Sequence, residues 1–315
     1  MNKKIKETML CLTATSLSLF GGMVFWQKAC FKQAQKKQDD TLFEIYPSPL
    51  GDIAYLTQGH GKTPLILIHS MMLGASKNEW DMVIEDLAKS YQVYAIDLPG
   101  FGNSFMPEKP WTAYQYANCI HDFIEHIIKR STYIVASNGG ADLALISSKF
   151  HPEKIKGMVL ISPEGFHQGF ATNEKTKPLR HLLLPILGTQ QFLGETKKSK
   201  IKETLEDAYF AKEKITKEQI ENQQYKARQN QKSQVTYAQL KTDFWRANTK
   251  SAFATLSQPF WIFWGEENKK NPITNMEWAK EARPDGDYVI FEGVCNFPHM
   301  ENSQSFVSVV KEYLN

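Results

Sequence analysis

The sequence predicts an α/β fold built on a mostly parallel sheet, with helices on both faces and one helical insertion. Three observations predict it. Short apolar runs alternate with helical stretches from Leu42 onward. Some of those runs, such as Leu65-Ile66-Leu67-Ile68, are continuous, as expected of strands buried on both faces. Between Glu164 and Gln258 the alternation stops, no convincing strand occurs, and Lys, Glu and Gln recur at helical spacing.

The elements follow in order. Leu42–Tyr46 and Ile53–Gln58 flank Pro47-Ser48-Pro49-Leu50-Gly51-Asp52 and read as an opening β-hairpin. A buried strand over Pro64–His69 leads to a helix over Glu79–Lys89 and a strand over Val93–Leu98. A helix over Thr112–Lys129, a strand over Thr132–Ala136, a helix over Gly139–Phe150 and a strand over Lys156–Ser162 continue the alternation. After the insertion come a strand over Phe260–Gly265, a helix around Met276–Arg283, a strand over Tyr288–Glu292 and a helix over Ser303–Leu314. Inside the insertion, Thr216-Lys217-Glu218-Gln219 has the form of a capping box at a helix start. Its charge runs read as a solvated helical face, and the chain has no internal repeat.

Composition bounds the function classes. In 315 residues, 42% are hydrophobic and 23% charged, which excludes a disordered, collagen-like or all-membrane chain. Lys and Arg number 37 against 34 Asp and Glu, a net charge of +3, so no nucleic-acid surface is expected. Cys11, Cys30, Cys119 and Cys295 have neither metal nor disulfide-framework spacing. His121, Glu125 and His126 share a helix but do not put both imidazoles on one face, so no zinc site is expected.

At the N-terminus, Lys3, Lys4 and Lys6 precede an uncharged run from Thr8 to Gln27 that contains Leu17, Leu19, Phe20, Phe25 and Trp26. A run of about 20 residues is what a helix needs to cross the hydrocarbon core. An uncleaved anchor is the first reading, because no Ala-x-Ala-like site follows and Trp26 and Lys28 look like interfacial anchors. A cleaved signal peptide and a buried soluble helix are the alternatives. Lys flanks both ends, so orientation stays open, with the extracytoplasmic side favoured if the run acts as a signal. The expected organisation is an anchor or signal over residues 1–27 and a polar exposed linker over 28–41. A core follows over 42–163 and 259–315, with a helical cap over 164–258.

Four motifs fall at strand ends: Ile68-His69-Ser70-Met71-Met72; Asp97-Leu98-Pro99-Gly100-Phe101-Gly102-Asn103-Ser104; Val135-Ala136-Ser137-Asn138-Gly139-Gly140; and Trp264-Gly265-Glu266-Glu267-Asn268 with Gly293-Val294-Cys295-Asn296-Phe297-Pro298-His299-Met300-Glu301. With these motifs the chain resembles the α/β-hydrolase superfamily over residues 42–315, the insertion standing where that family has its cap. The resemblance implies a serine hydrolase acting on an ester or amide of a small molecule, with no metal and no organic cofactor.

It also implies roles for particular residues. Ser137 takes the slot of the nucleophile at the strand–helix turn, with Val135 where Gly is usual and Gly139 and Gly140 downstream. Met71 and Asn138 would supply the oxyanion-binding N–H groups, and His69 would brace the loop beneath them. The acid and base positions hold Asn268 and Asn296. An Asp→Asn change in such a triad costs about 10⁴ in kcat, and losing the His costs on the order of 10⁶. Asparagine does not take up a proton at neutral pH, so Asn296 is no general base. A rescue would use His299 as a displaced base, oriented by Glu267 or by Glu164 at the end of Ile161-Ser162-Pro163-Glu164. The competing reading is a pseudo-hydrolase whose pocket binds a small ligand or protein partner without turnover.

Overall fold

Period-two alternation carries the sheet's two faces into two separate cores. In strand β3 (Thr63–Ile68), Ile66 and Ile68 point to one core and Leu65 and Leu67 to the other. Strands β5 (Thr132–Ser137), β6 (Ile155–Ile161) and β7 (Phe260–Gly265) divide in the same way, with Ile134, Leu160 and Ile262 opposite Val135, Val159 and Phe263. The continuous apolar runs thus reflect burial on both sides, as the sequence predicts.

The structure, a computed structural model, describes residues 20–35, 42–166 and 176–314. With β1 (Glu44–Tyr46), β2 (Ile53–Gln58), β4 (Tyr91–Ile96) and β8 (Asp287–Phe291), the strands form one eight-stranded sheet in the order β1-β2-β4-β3-β5-β6-β7-β8. The opening hairpin pairs antiparallel, and β2 runs antiparallel to β4; all other pairs are parallel. Parallel strands place the loops after β3 to β8 at one edge, where open α/β sheets hold their sites.

Residues 20–35 form helix α1, α2 spans Ile84–Ala88, α3 spans Ala113–Phe123 and α4 spans Gly139–Phe150. Between β6 and β7 lie α5 (Thr176–Leu182), α6 (Leu187–Glu195), α7 (Lys198–Glu206), α8 (Lys217–Arg228), α9 (Ser233–Lys241) and α10 (Lys250–Ala254). The chain closes with α11 (Thr274–Ala282), α12 (Pro298–Glu301) and α13 (Ser303–Tyr313). Helices α3, α4 and α11 cover one face of the sheet, α2 and α13 the other. The capping box at Thr216 forms in part: its side chain accepts from Gln219 N–H at 3.0 Å.

Two expectations change. The helix expected over Glu79–Lys89 is a 3₁₀ turn at Lys77–Trp80 followed by the short α2. The cause is tertiary: Asp97 accepts the Lys77 backbone N–H at 2.6 Å and the Lys77 ammonium at 3.2 Å, both side chains being fully buried. The linker expected over residues 28–41 is helical through residue 35 and packs on the cap. Phe31 is buried and stacks on Phe192 with ring centres 6.0 Å apart, and Gln27 donates to the Ile186 carbonyl at 2.9 Å. Residues 8–19 of the apolar run, and residues 36–41, lie outside the described residues. Among the described residues no helix is long and apolar enough to cross a membrane.

Candidate active site

The turn from β5 into α4 lies at the loop edge. Ser137 is the last residue of the strand and fully buried, and Gly139 is the first residue of the helix. Between them Asn138 adopts φ 48° and ψ −118°, a conformation that L-residues take only under constraint. A strained strand–helix turn is where this architecture exposes a nucleophile. The sequence expectation set Ser137 there; the backbone turns one residue later, at Asn138. The spacing Ala136-x-Asn138-x-Gly140 carries this signal, with small residues two positions either side of the turn.

The neighbours explain the glycines. A Cβ on Gly140 would lie 2.3 Å from the His69 carbonyl oxygen. A Cβ on Gly139 would lie 2.4 Å from the Trp245 ring and 2.7 Å from the Met71 Cβ. Both Trp245 and Met71 are buried, so these side chains close over the helix start. Asn138 donates its backbone N–H to the Ile161 carbonyl at 2.8 Å. That bond removes it from the oxyanion role expected for it. Its side-chain amide donates to Ser137 Oγ at 3.1 Å.

His69 braces the loop after β3. Its Nε2 accepts from the Leu98 N–H at 3.0 Å, which assigns the proton to Nδ1, 2.7 Å from the Ser70 carbonyl. Next to it lies a group that sequence reasoning missed. Glu79 Oε2 accepts from Ser70 Oγ at 2.6 Å and from Ser70 N–H at 3.0 Å, and Oε1 lies 3.2 Å from His299 Nε2. Burial pushes the Glu79 carboxyl up, but His299 and Ser70 outweigh it and hold it below the ordinary glutamate value. His299 is fully buried, stacks on Trp80 at 4.4 Å and makes no hydrogen bond to Ser137. The expected displaced base is therefore held by Glu79. No local sequence pattern marks this pair, because Glu79 and His299 are brought together only by packing.

The remaining candidates serve the loops around the edge. Asn268 Oδ1 accepts from the Asn271 N–H at 2.9 Å, and Asn271 Nδ2 donates to the Ser162 and Pro163 carbonyls. Asn268 thereby ties the loop after β7 to the end of β6. Glu267 is half-buried, and its backbone N–H donates to the Val294 carbonyl at 2.9 Å. Asn296 donates its backbone N–H to the Ala208 carbonyl at 3.0 Å, and its Oδ1 is buried without a partner among the described residues. Glu164 is paired with Arg246. In the same cluster Asp142, also missed by sequence reasoning, accepts from the Gly165 N–H at 2.9 Å. Burial first, then the Glu164 charge, pushes its carboxyl up to about 8.

A cavity of about 740 Å³ opens between the loop after β3 and the cap helices α7 and α8. Ser70, Met72, Glu79, Tyr209, Gln223 and Met300 are among its walls; Ser137 and Asn138 are not. Among the described residues no group of His, Cys, Asp and Glu is arranged to hold a metal ion.

The sequence profile of the alpha/beta hydrolase fold family matches residues 63–303. This chain belongs to the α/β-hydrolase family. A curated relative, the 2-hydroxy-6-oxo-6-(2'-aminophenyl)hexa-2,4-dienoic acid hydrolase of Metapseudomonas resinovorans, is 32% identical over 137 residues, which is 42% of this chain and 47% of the relative. This α/β-hydrolase thus spans about half the length of that relative. Among solved structures, a serine hydrolase involved in carbazole degradation superposes with a TM-score of 0.73 at 18% identity, covering 87% of this chain and 98% of that one. A membrane phospholipase A described as a bacterial virulence factor superposes with a TM-score of 0.70 at 18% identity, covering 99% of this chain and 98% of that one. At such identities the structures establish a shared α/β-hydrolase fold.

Proposed function

We propose that this α/β-hydrolase family member binds a small molecule under its cap without running the ordinary serine-hydrolase cycle. In this reading Asn138, Asn268 and Asn296 stand at the nucleophile, acid and base positions. The observation that carries it is the turn: the strained residue is Asn138, whose side-chain amide is neither a nucleophile nor a base at neutral pH. Three further facts support it. Ser137 has no imidazole partner among the described residues, the Asn138 N–H is spent on Ile161, and Met71 and Trp245 fill the space beside the helix start. The roomy cavity is displaced toward Ser70, Glu79 and Tyr209, where an ionised carboxylate and a hydroxyl offer polar recognition among methionines.

The test is a fluorophosphonate probe on the full-length folded protein, with Ser137→Ala and His299→Ala as controls. The wild type is expected to remain unlabelled. Labelling that disappears in both variants would overturn this reading and establish Ser137 as an activated nucleophile with His299 as its base. Glu79, whose Oε1 already lies 3.2 Å from His299 Nε2, would then be the orienting acid in place of Glu267 or Glu164.

The N-terminal segment belongs to the same proposal. The run Thr8–Gln27 attaches the protein to a membrane, and α1 carries that attachment onto the cap. Supporting this, Phe25 and Trp26 of α1 are 77% and 42% exposed on the side of the helix away from Gln27 and Phe31, which are buried on the cap. An amphipathic helix with an aromatic outer face suits a membrane boundary.

A further inference from the structure

We infer that the Asn138-Gly139 peptide is a site of self-modification, closing to a succinimide and opening to an aspartyl or isoaspartyl residue at position 138. The inference rests on the geometry of the turn and is independent of the functional reading above. Asn138-Gly139 is the one Asn-Gly pair in the sequence. Ring closure requires the Gly139 nitrogen to reach the Cγ of the preceding side chain, and the backbone torsion ψ of Asn138 sets whether that side chain leaves Cα on the side of the nitrogen.

At ψ −118° the Cα–Cβ bond of Asn138 lies close to the plane of the following peptide, on the side of its nitrogen. This follows because Cβ and N are about 120° apart around the Cα–C axis of an L-residue. In a helix (ψ about −42°) or a strand (about +135°) the same bond is turned well out of that plane. Folding thus fixes the torsion that an unfolded chain would have to find by chance, which is the entropic advantage of a held geometry. Gly139 has no Cβ to obstruct the approach, and as the first residue of α4 its N–H has no partner within the helix. The departing nitrogen, Asn138 Nδ2, is held 3.1 Å from Ser137 Oγ.

The chemistry balances without any oxidant or reductant. The Gly139 nitrogen attacks Cγ, the Cγ–Nδ2 bond breaks, and ammonia leaves with the proton lost from Gly139. Water then adds to one of the two imide carbonyls, giving the aspartyl or the isoaspartyl product. The carboxylate formed lies at the N-terminus of α4, where the helix dipole favours negative charge.

The experiment follows the tryptic peptide Ser131–Lys149, in which Asn138 is the sole asparagine, after incubating the full-length protein in mildly alkaline buffer. The expected result is replacement of the side-chain NH₂ by OH at position 138, several-fold faster in the folded protein than in the same chain in urea. Heavy-oxygen water should label that peptide, and hydroxylamine added during the incubation should cut the chain between residues 138 and 139. The pairs Asn103-Ser104 and Asn302-Ser303 serve as internal controls and are expected to convert more slowly in the folded protein than in urea. Asn138→Gln keeps the amide but enlarges the ring, and should abolish the change in protein that circular dichroism shows to be folded. Slower conversion of Asn138 in the folded state than in urea, or persistence of the mass change in Asn138→Gln, would overturn the inference.

Discussion

At Asp142 one residue reports on the electrostatics of a whole corner. Its carboxyl is raised to about 8 by burial and by the Glu164 charge, against the opposing pull of Arg246 and the Gly165 N–H. The folded protein therefore keeps a proton that the unfolded chain loses near 3.8. Between those values the native state binds more protons, so this group's stabilisation is complete at low pH and is lost as pH rises toward 8. The slope is at most about 1.4 kcal/mol per pH unit. Chemical denaturation at a series of pH values should show Asp142→Asn flattening this decline, because an amide still accepts from Gly165 and never ionises. Sequence alone places Asp142 in the first turn of a helix, where an acidic residue is unremarkable; only packing puts it beside Glu164 and out of water. Asn138 makes the complementary case. The motif was legible, but its register was decided by the peptide that turns.

Among the elements, α12 joins core to cap through one side chain. Glu301 Oε1 accepts from the Cys295 N–H at 2.8 Å, and Oε2 accepts from the Phe210 and Ala211 N–H groups at 2.8 and 3.0 Å. Its backbone carbonyl also accepts from the Lys214 ammonium. Three backbone donors thus depend on one buried carboxylate. Glu301→Ala would leave them without acceptors, at about 1–3 kcal/mol each before relaxation. The expected outcome is a net loss of about 2–4 kcal/mol of stability by denaturant titration, with faster proteolysis around residues 210–214. Unchanged stability would show that water replaces the carboxylate without cost. The strand positions were legible because continuous apolar runs have few other uses. The helix expected over Glu79–Lys89 was not, since Asp97 and Lys77 redirect the backbone through a contact between residues far apart in sequence.

The whole molecule couples three parts: a sheet with its loop edge, a helical cap, and α1 lying on that cap. If the N-terminal run attaches the protein to a membrane, full-length chains should sediment with membranes and resist salt extraction. Chains lacking residues 1–26 should be soluble and keep the contact between Phe31 and Phe192. Recovery of both forms in the soluble fraction would sink the attachment. By itself the sequence determined the fold class, the order of its elements and the place of the helical insertion. These depend on hydrophobic periodicity and on glycine-rich turns, which are local properties of a chain. Tertiary structure alone decided that Asn138 bears the strained turn, that His299 pairs with Glu79, that Trp245 and Met71 close over the helix start, and that the cavity lies to one side. Each of these depends on groups distant in sequence meeting in a dry interior, where packing and desolvation, rather than residue type, set what a side chain can do.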